Sequence, residues 1–181
     1  FSLDETYLRD IVYPANYGVA KLLSKTMEEQ EDGKLLVKYS ASPEQQNPDG
    51  SYYQTTGCAF DQQMIWENGR DLLRCVDIIG EENLPEKDLA TIRELREQID
   101  KYDPILVGLS GQIKEFREED YYGSLGNPNH RHISQLVGLF PGNIINSETD
   151  AWLDAALVSL AGRNDGLTDY PDGTTATNEA S

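Results

Sequence analysis

Residues 58–104 read CAFDQQMIWENGRDLLRCVDIIGEENLPEKDLATIRELREQIDKYDP, and this stretch predicts two helices joined by a turn. Its first half places apolar side chains at helical spacing as far as Gly80, and its second half starts with Pro85, which suits the first turn of a helix. Because a short turn joins the two helices, they are predicted to pack as an antiparallel hairpin. The expected inward positions are Ile65, Leu72, Leu73, Val76, Ile79, Leu89, Ile92, Leu95 and Ile99.

The residues before this hairpin predict a long helix followed by a brief strand. Ser2 and Glu5 are spaced as a capping box, and the helix is expected to be kinked or divided at Pro14 and to end at Gly33. A β-prone run follows at residues 35–39. The predicted apolar stripe of the helix is Leu8, Ile11, Val12, Ala15, Val19, Leu22, Leu23 and Met27.

The residues after the hairpin predict a strand at 111–116 and, beyond a polar loop, a short helix at 130–140. A last helix is expected to be capped by Ser147 and to run through Leu160, before a polar tail at 162–181. Helices joined by loops, with almost no strand, predict an all-α fold of helical hairpins, as in an α/α toroid. The expected inward positions are Ile133, Leu136, Val137 and Phe140 in the short helix, and Trp152, Leu153, Ala156, Leu157 and Leu160 in the last.

The chain is strongly acidic, with 32 Asp and Glu against 15 Lys and Arg and a net charge of −17. This charge repels phosphate backbones and anionic headgroups, so nucleic acid is not expected as a partner. No apolar run reaches the roughly twenty residues of a membrane span, and no signal peptide is visible. Cys58 and Cys75 are expected to be buried and unpaired, because positions that far apart on one helix are separated by about 25 Å.

Glu44 is a candidate acid. It follows a proline in residues 40–54, a stretch rich in Pro, Gly, Asn, Ser and Gln that predicts an irregular loop. Loops of this length inside a compact domain are often functional. With few cations near it in the sequence, the carboxyl could stay protonated and give its proton to a leaving oxygen. An exposed loop glutamate without a catalytic role is the alternative.

Both histidines of the chain flank an arginine in His130-Arg131-His132, at the expected start of a helix. Guanidinium and imidazole groups form the dense, directional hydrogen bonds by which sugars are recognised, although purely structural histidines are an alternative. Histidines two positions apart face different sides of a helix, and no other ligand spacing accompanies them. Neither a metal site nor a cofactor is therefore expected.

Five motifs, in this order, resemble glycoside hydrolase family 95, the family of inverting α-L-fucosidases, some of which act on α-L-galactosides. They are YSASPE at 39–44, FDQQMI at 60–65, GQIKEF at 111–116, HRHISQL at 130–136 and GLFPGN at 138–143. The resemblance extends to about Leu160. Because the family's catalytic domain is an (α/α)6 barrel, it implies that residues 1–161 are a central part of such a barrel and that the remainder of the catalytic domain is their partner.

The resemblance also implies roles for the matched positions. The acid of the Ser-Pro-Glu motif is the family's general acid, which corresponds to Glu44, and the Arg and second His of the His-Arg-His motif contact the fucose, which corresponds to Arg131 and His132. Supporting positions behind these groups are expected at His130, Glu115 and Asp61. This chain departs from the family pattern with Gln45 for Asn, Phe116 for Trp and Gln135 for His.

The family's water-activating residues, an upstream asparagine pair and a downstream aspartate, have no counterpart in this chain. Inverting hydrolysis needs both an acid and a base. The expected function is therefore hydrolysis of terminal α-L-fucosyl or α-L-galactosyl linkages in oligosaccharides or glycans by the intact protein. This chain is expected to supply the general-acid half of the site and to be inactive, or nearly so, alone. Such a parent protein is expected to be secreted, periplasmic or attached to the cell surface.

Two hypotheses of other classes remain open. One is a catalytically inactive, carbohydrate-binding helical toroid, which the missing base and Gln135 favour. The other is a helical interaction module whose acidic surface binds a basic protein. Stabilisation by a sugar would separate the first from the second.

Overall fold

The computed structural model describes residues 4–164, whose regular secondary structure is mainly helical. These residues divide into two compact units. The first contains residues 4–36 and 65–103, and the second contains residues 37–64 and 104–164. Within the described range, no helix combines the length and apolar character needed to cross a bilayer.

The N-terminal helical segment has three parts: α1 (Glu5–Tyr7), a π-helical turn (Leu8–Val12) and α2 (Tyr13–Leu23). Pro14 lies in the first turn of α2, but the helical backbone does not break there, since Val12 and Tyr13 both have right-handed helical dihedrals and the Tyr13 N–H bonds to the Leu8 carbonyl oxygen. The predicted division of the helix at this proline is therefore not seen; a π-helical turn precedes it instead. Asp4 caps α1 by accepting a hydrogen bond from the Tyr7 N–H at 3.0 Å. Ser2, the predicted cap, lies outside the described residues.

The helical segment ends earlier than predicted. After a 3₁₀ turn at Ser24–Thr26, strand β1 (Met27–Glu29) pairs with strand β2 (Leu35–Val37) in a two-stranded sheet. Gly33, with φ of 79°, belongs to the turn between these strands and does not end a helix. The β-prone run at 35–39 is confirmed by β2.

In the first unit, α2 uses its tyrosines to pack on the region of α4 (Leu89–Gln98). The Tyr13 hydroxyl donates to Asp88 at 3.0 Å and the Tyr17 hydroxyl donates to Thr91 at 3.3 Å. A tyrosine buries its ring while its hydroxyl keeps a partner, which explains why this face is the one buried. The predicted stripe is wrong in large part, since its members Ile11, Val19 and Leu22 are exposed.

The predicted hairpin of α3 (Ala59–Ile79) and α4 is confirmed. A 3₁₀ turn precedes α4 at Glu86–Asp88 and another follows it at Ile99–Lys101. Gly69 in α3 lets α4 and the turn after it approach closely, since a Cβ there would lie 3.2 Å from Cδ1 of Leu95 and 2.8 Å from Cδ1 of Ile99. Most of the predicted inward positions are buried, among them Ile65, Leu72, Val76, Ile79, Ile92 and Leu95.

The second unit is built largely of irregular segments, and the loop at 40–54 has the expected irregular form. The predicted strand at 111–116 is wrong, because two of its backbone N–H groups bind side chains and only the Lys114 N–H bonds across to a neighbouring segment, at the Leu106 carbonyl oxygen (2.9 Å). Ile113 N–H donates to Ser159 Oγ at 2.9 Å and Glu115 N–H donates to Glu119 Oε2 at 2.7 Å. Only an isolated bridge, Val107 to Ile113, has strand character there.

The predicted helix at 130–140 is also wrong, since the structure has only a 3₁₀ turn, Ser134–Leu136. Leu136 is buried as expected, but Ile133 and Phe140 are exposed.

The last helix, α5 (Asp150–Arg163), begins after Thr149 and continues beyond Leu160, so Ser147 is not its cap. Gly162 and Arg163 are part of its buried face and do not open a polar tail; residues 165–181 lie outside the described residues. Leu157, a predicted inward position, is exposed, and the buried face comprises Ala155, Ala156, Ser159, Gly162 and Arg163.

Candidate active site

The loop around Glu44 is held by hydrogen bonds to neighbouring residues. Ser42 Oγ donates to Glu115 Oε1 at 2.5 Å, and Ser134 Oγ donates to the Pro43 carbonyl oxygen at 2.5 Å. Both contacts join residues far apart in the chain, and both fall within two positions of Glu44. The loop is therefore irregular in secondary structure but fixed in place.

The carboxyl of Glu44 lies against the two candidate sugar-binding residues. Arg131 donates from Nη2 to Glu44 Oε2, and Nε2 of His132 lies 3.2 Å from the same oxygen. The side chains of Glu44, Arg131 and His132, here called the Glu44 cluster, are 43%, 57% and 45% exposed, so a ligand can reach all three. The expectation of few cations near Glu44 is wrong, because the arginine is distant only in sequence.

His130 supports the cluster from one side. Its Nδ1 accepts a hydrogen bond from the His132 N–H at 3.0 Å, and the two imidazole rings lie 5.3 Å apart. Burial and the positive charges of His132 and Arg163 lower the pKa of His130, which favours the neutral form that this accepting nitrogen requires. The two histidines do not face opposite sides of a helix, because residues 130–132 are not helical.

Glu115 lies behind the Glu44 loop and is buried. Besides Ser42, it accepts hydrogen bonds from the Gln45 side chain at 3.3 and 3.2 Å and from Arg163 at 3.0 Å. Glu115 thus contacts residues on both sides of Glu44, and its supporting role stays a prediction.

Asp61 supports the start of the same loop, where it accepts from Ser40 Oγ at 2.6 Å, and Ser40 Oγ in turn accepts from the Cys58 N–H at 3.0 Å. Cys58 and Cys75 are both buried and free, as expected. Burial raises the pKa of Cys58 to about 12, so this thiol is a structural group and not a nucleophile.

The sequence alone does not identify Arg163 as part of the site, because position 163 falls in the predicted polar tail at 162–181. Its guanidinium is buried and donates to Gln135 Oε1 at 3.3 Å as well as to Glu115. A signal for it exists in the sequence: Ala155, Ser159 and Arg163 recur every four residues and so share one face of a helix. A face of two small residues and one arginine indicates close packing around a buried cation.

The Glu44 cluster offers one carboxyl and two donors in a small exposed area, which suits a ligand that carries several hydroxyl groups. Among residues 4–164, no group of three or more His, Cys, Asp or Glu side chains is arranged to hold a metal ion. The chemistry available at this site is proton transfer and hydrogen bonding.

Comparison with known proteins identifies relatives over almost the whole chain. Residues 1–180 match the family described as the glycosyl hydrolase family 95 catalytic domain, so the similarity continues past Leu160, the predicted limit of the resemblance. "Probable alpha-fucosidase A" of Aspergillus niger is 32% identical over 180 residues, which is 96% of this chain and 21% of that protein. "Alpha-L-fucosidase 2" of Arabidopsis thaliana is 28% identical over 163 residues, which is 87% of this chain and 18% of that protein.

A second fungal relative, "Probable alpha-fucosidase A" of Aspergillus oryzae, is 33% identical over 129 residues, which is 70% of this chain and 16% of that protein. The chain thus spans about a fifth of the length of the curated relatives it matches.

Proposed function

This chain belongs to glycosyl hydrolase family 95, and on that premise we propose that the intact protein hydrolyses terminal α-L-fucosyl linkages, or the closely similar α-L-galactosyl linkages, in oligosaccharides or glycans. The observation that carries the proposal is the meeting of Glu44 with Arg131 and His132 at one exposed place. We expect the parent protein to act on glycans outside the cell, and this chain to form part of an (α/α)6 barrel.

In this proposal Glu44 is the general acid. Its carboxyl gives a proton to the glycosidic oxygen as the bond from that oxygen to the anomeric carbon breaks, so the rest of the substrate leaves as a neutral alcohol. Water attacks the anomeric carbon from the opposite face and loses its proton to a base, with inversion of configuration. We assign that base to the part of the protein outside this chain.

Arg131 and His132 are proposed to hold the sugar. In the described arrangement, Glu44 accepts a hydrogen bond from Arg131, whereas an acid must donate one. The sugar hydroxyls would compete with Glu44 for the guanidinium, since both are acceptors. Binding of the sugar would therefore free the carboxyl to take up a proton and deliver it.

Proton NMR of the full-length protein with an α-1,2-fucosylated oligosaccharide tests this function. The first product signal is expected to be the β anomer of free L-fucose, because a single displacement inverts the anomeric centre. A matched reaction with the α-L-galactosyl analogue measures the sugar preference. Initial release of the α anomer, or binding of either sugar without turnover, would reject inverting hydrolysis; the latter result favours a carbohydrate-binding protein.

A further inference from the structure

The buried guanidinium of Arg163 contacts residues that hold the Glu44 loop and residues next to Arg131 and His132 in the sequence. Arg163, which is 1% exposed, donates from Nη2 to Glu115 Oε2 at 3.0 Å and to Gln135 Oε1 at 3.3 Å. From Nη1 it donates to the carbonyl oxygen of Asn127 at 3.0 Å. These three acceptors belong to different parts of the second unit and are brought together at one side chain.

The contact between Arg163 and Glu115 connects the guanidinium to the loop that carries Glu44. Glu115 accepts from Arg163 on one oxygen and from Ser42 Oγ on the other, and the Gln45 amide reaches both oxygens. Ser42 and Gln45 stand on either side of Pro43-Glu44 in the sequence. The carboxylate that orients the Glu44 loop is thus itself oriented, and its charge balanced, by Arg163.

The contacts of Arg163 with Asn127 and Gln135 connect the guanidinium to the segment that carries Arg131 and His132. The carbonyl oxygen of Asn127 also accepts from the Gln45 amide at 3.2 Å and from the His130 N–H at 3.2 Å. Gln135 follows Arg131 and His132 by only a few positions. The segment that carries the two sugar-binding residues is therefore tied to the same guanidinium before and after them.

Stability alone is a weak explanation for this arrangement. A buried ion pair loses the hydration of both charges, and replacing such a pair with apolar side chains often leaves a protein no less stable. What the guanidinium supplies is direction, since its planar fork fixes several acceptors at set angles. An ammonium group has no such fork.

We propose that Arg163 is a positioning residue that sets the placement of Glu44 relative to Arg131 and His132, an inference that rests on the proposed function. In this proposal Arg163 makes no contact with the sugar. It acts through Glu115 on the acid and through Asn127 and Gln135 on the sugar-binding residues.

The test compares two substrates of the full-length enzyme carrying Arg163→Lys. An α-1,2-fucosyl oligosaccharide needs a proton on its leaving group, whereas α-L-fucosyl fluoride leaves without one. Misplacement of the acid is expected to lower kcat about 10- to 100-fold on the oligosaccharide and less than about threefold on the fluoride. Displacement of Arg131 and His132 is expected to raise KM on both substrates alike. Equal losses of kcat on both substrates, or no loss of kcat on either, would overturn the proposal.

Arg96→Lys is the matched control, because Arg96 is an exposed arginine in the first unit that pairs with Asp77 and Glu81. It should leave kcat unchanged on both substrates. If Arg163→Lys does not fold, Ser42→Ala takes its place, since it cuts the link from Glu115 to the loop and leaves the buried ion pair intact. The same selective loss is expected, and an equal loss on the two substrates again contradicts the inference.

Hydrogen exchange separates this inference from the proposed function. If the wild-type protein cleaves neither substrate, the proposed function fails. The backbone N–H groups of Gln45 and Asn127 still report whether Arg163 holds these segments in place. Their exchange should become faster in Arg163→Lys and stay unchanged in Arg96→Lys. Unchanged exchange in both variants would show that Arg163 does not hold these segments.

Discussion

Arg131 illustrates what the site demands of one residue. Its guanidinium offers a fork of donors that can grip neighbouring hydroxyls of a sugar, whereas a lysine offers a compact point charge. Arg131→Lys is therefore expected to lower kcat/KM of the full-length protein about 10- to 100-fold, chiefly through a higher KM. Steady-state kinetics on the oligosaccharide measures this, with Arg96→Lys as control, and an unchanged KM would contradict the assigned role.

Glu119 gives a prediction about pH. Burial raises its pKa from the ordinary 4.5 to about 7, so the folded protein keeps this proton where an unfolded chain has lost it. Its stabilising contribution is complete below about pH 4 and is lost as the pH rises to about 7, by up to ~3 kcal/mol. Denaturant unfolding across this range should show a flatter pH dependence for Glu119→Gln; parallel curves for the two proteins would contradict it.

At the residue scale, the sequence predicts the Glu44 cluster because its members have distinctive chemistry and lie in recognisable motifs. It does not predict the ion pair between Glu44 and Arg131, because that contact depends on how two distant irregular segments meet. The sequence does not predict the burial of Arg163, because charged residues in a polar segment are normally exposed to solvent. The structure shows that Arg163 is buried.

Among the elements, α5 depends on a glycine for its close approach to residues 110–130. A Cβ at Gly162 would lie 2.7–2.8 Å from three ring atoms of Tyr122, whose hydroxyl donates to the Pro128 carbonyl at 2.5 Å. Gly162→Ala is expected to destabilise the protein by about 1–2 kcal/mol, because overpacking against a rigid ring exceeds the helix-propensity gain of about 1 kcal/mol.

Gly18→Ala in α2 is the matched control for this substitution, since no atom lies within 4 Å of the added Cβ. It should be neutral or stabilise the protein by up to about 1 kcal/mol. Urea unfolding of both variants measures the difference. Equal midpoints would mean that Gly162 is not needed for close packing.

The elements that the sequence predicts well are those whose hydrogen bonds are local. The α3–α4 hairpin satisfies its own backbone, and its apolar period is therefore a reliable guide. In the stretches at 111–116 and 130–140, backbone N–H groups donate to the side chains of Ser159, Glu119 and His130, so alternation or periodicity of apolar residues misidentifies these stretches. Tertiary contacts, and not propensity, decide their form.

For the whole molecule, we propose that the acid lies in this chain and that the base lies elsewhere in the protein. Inverting hydrolysis requires the two groups on opposite faces of the sugar, roughly 6.5–9.5 Å apart. Residues 1–181 alone are therefore expected to release no fucose from an α-1,2-fucosylated oligosaccharide that the full-length protein cleaves. Fucose release by the isolated chain that disappears on Glu44→Gln would show that it already contains a base.

The central claim is that Glu44 donates the proton, and the leaving-group dependence of Glu44→Gln in the full-length protein tests it most directly. Glu118→Gln serves as control, because Glu118 is an exposed carboxylate in the same unit that accepts from Thr55. We predict that Glu44→Gln lowers kcat about 10²- to 10⁴-fold on the oligosaccharide, whose leaving group needs a proton, and far less on α-L-fucosyl fluoride, whose leaving group does not. Equal losses on both substrates, or full activity on the oligosaccharide, would contradict it.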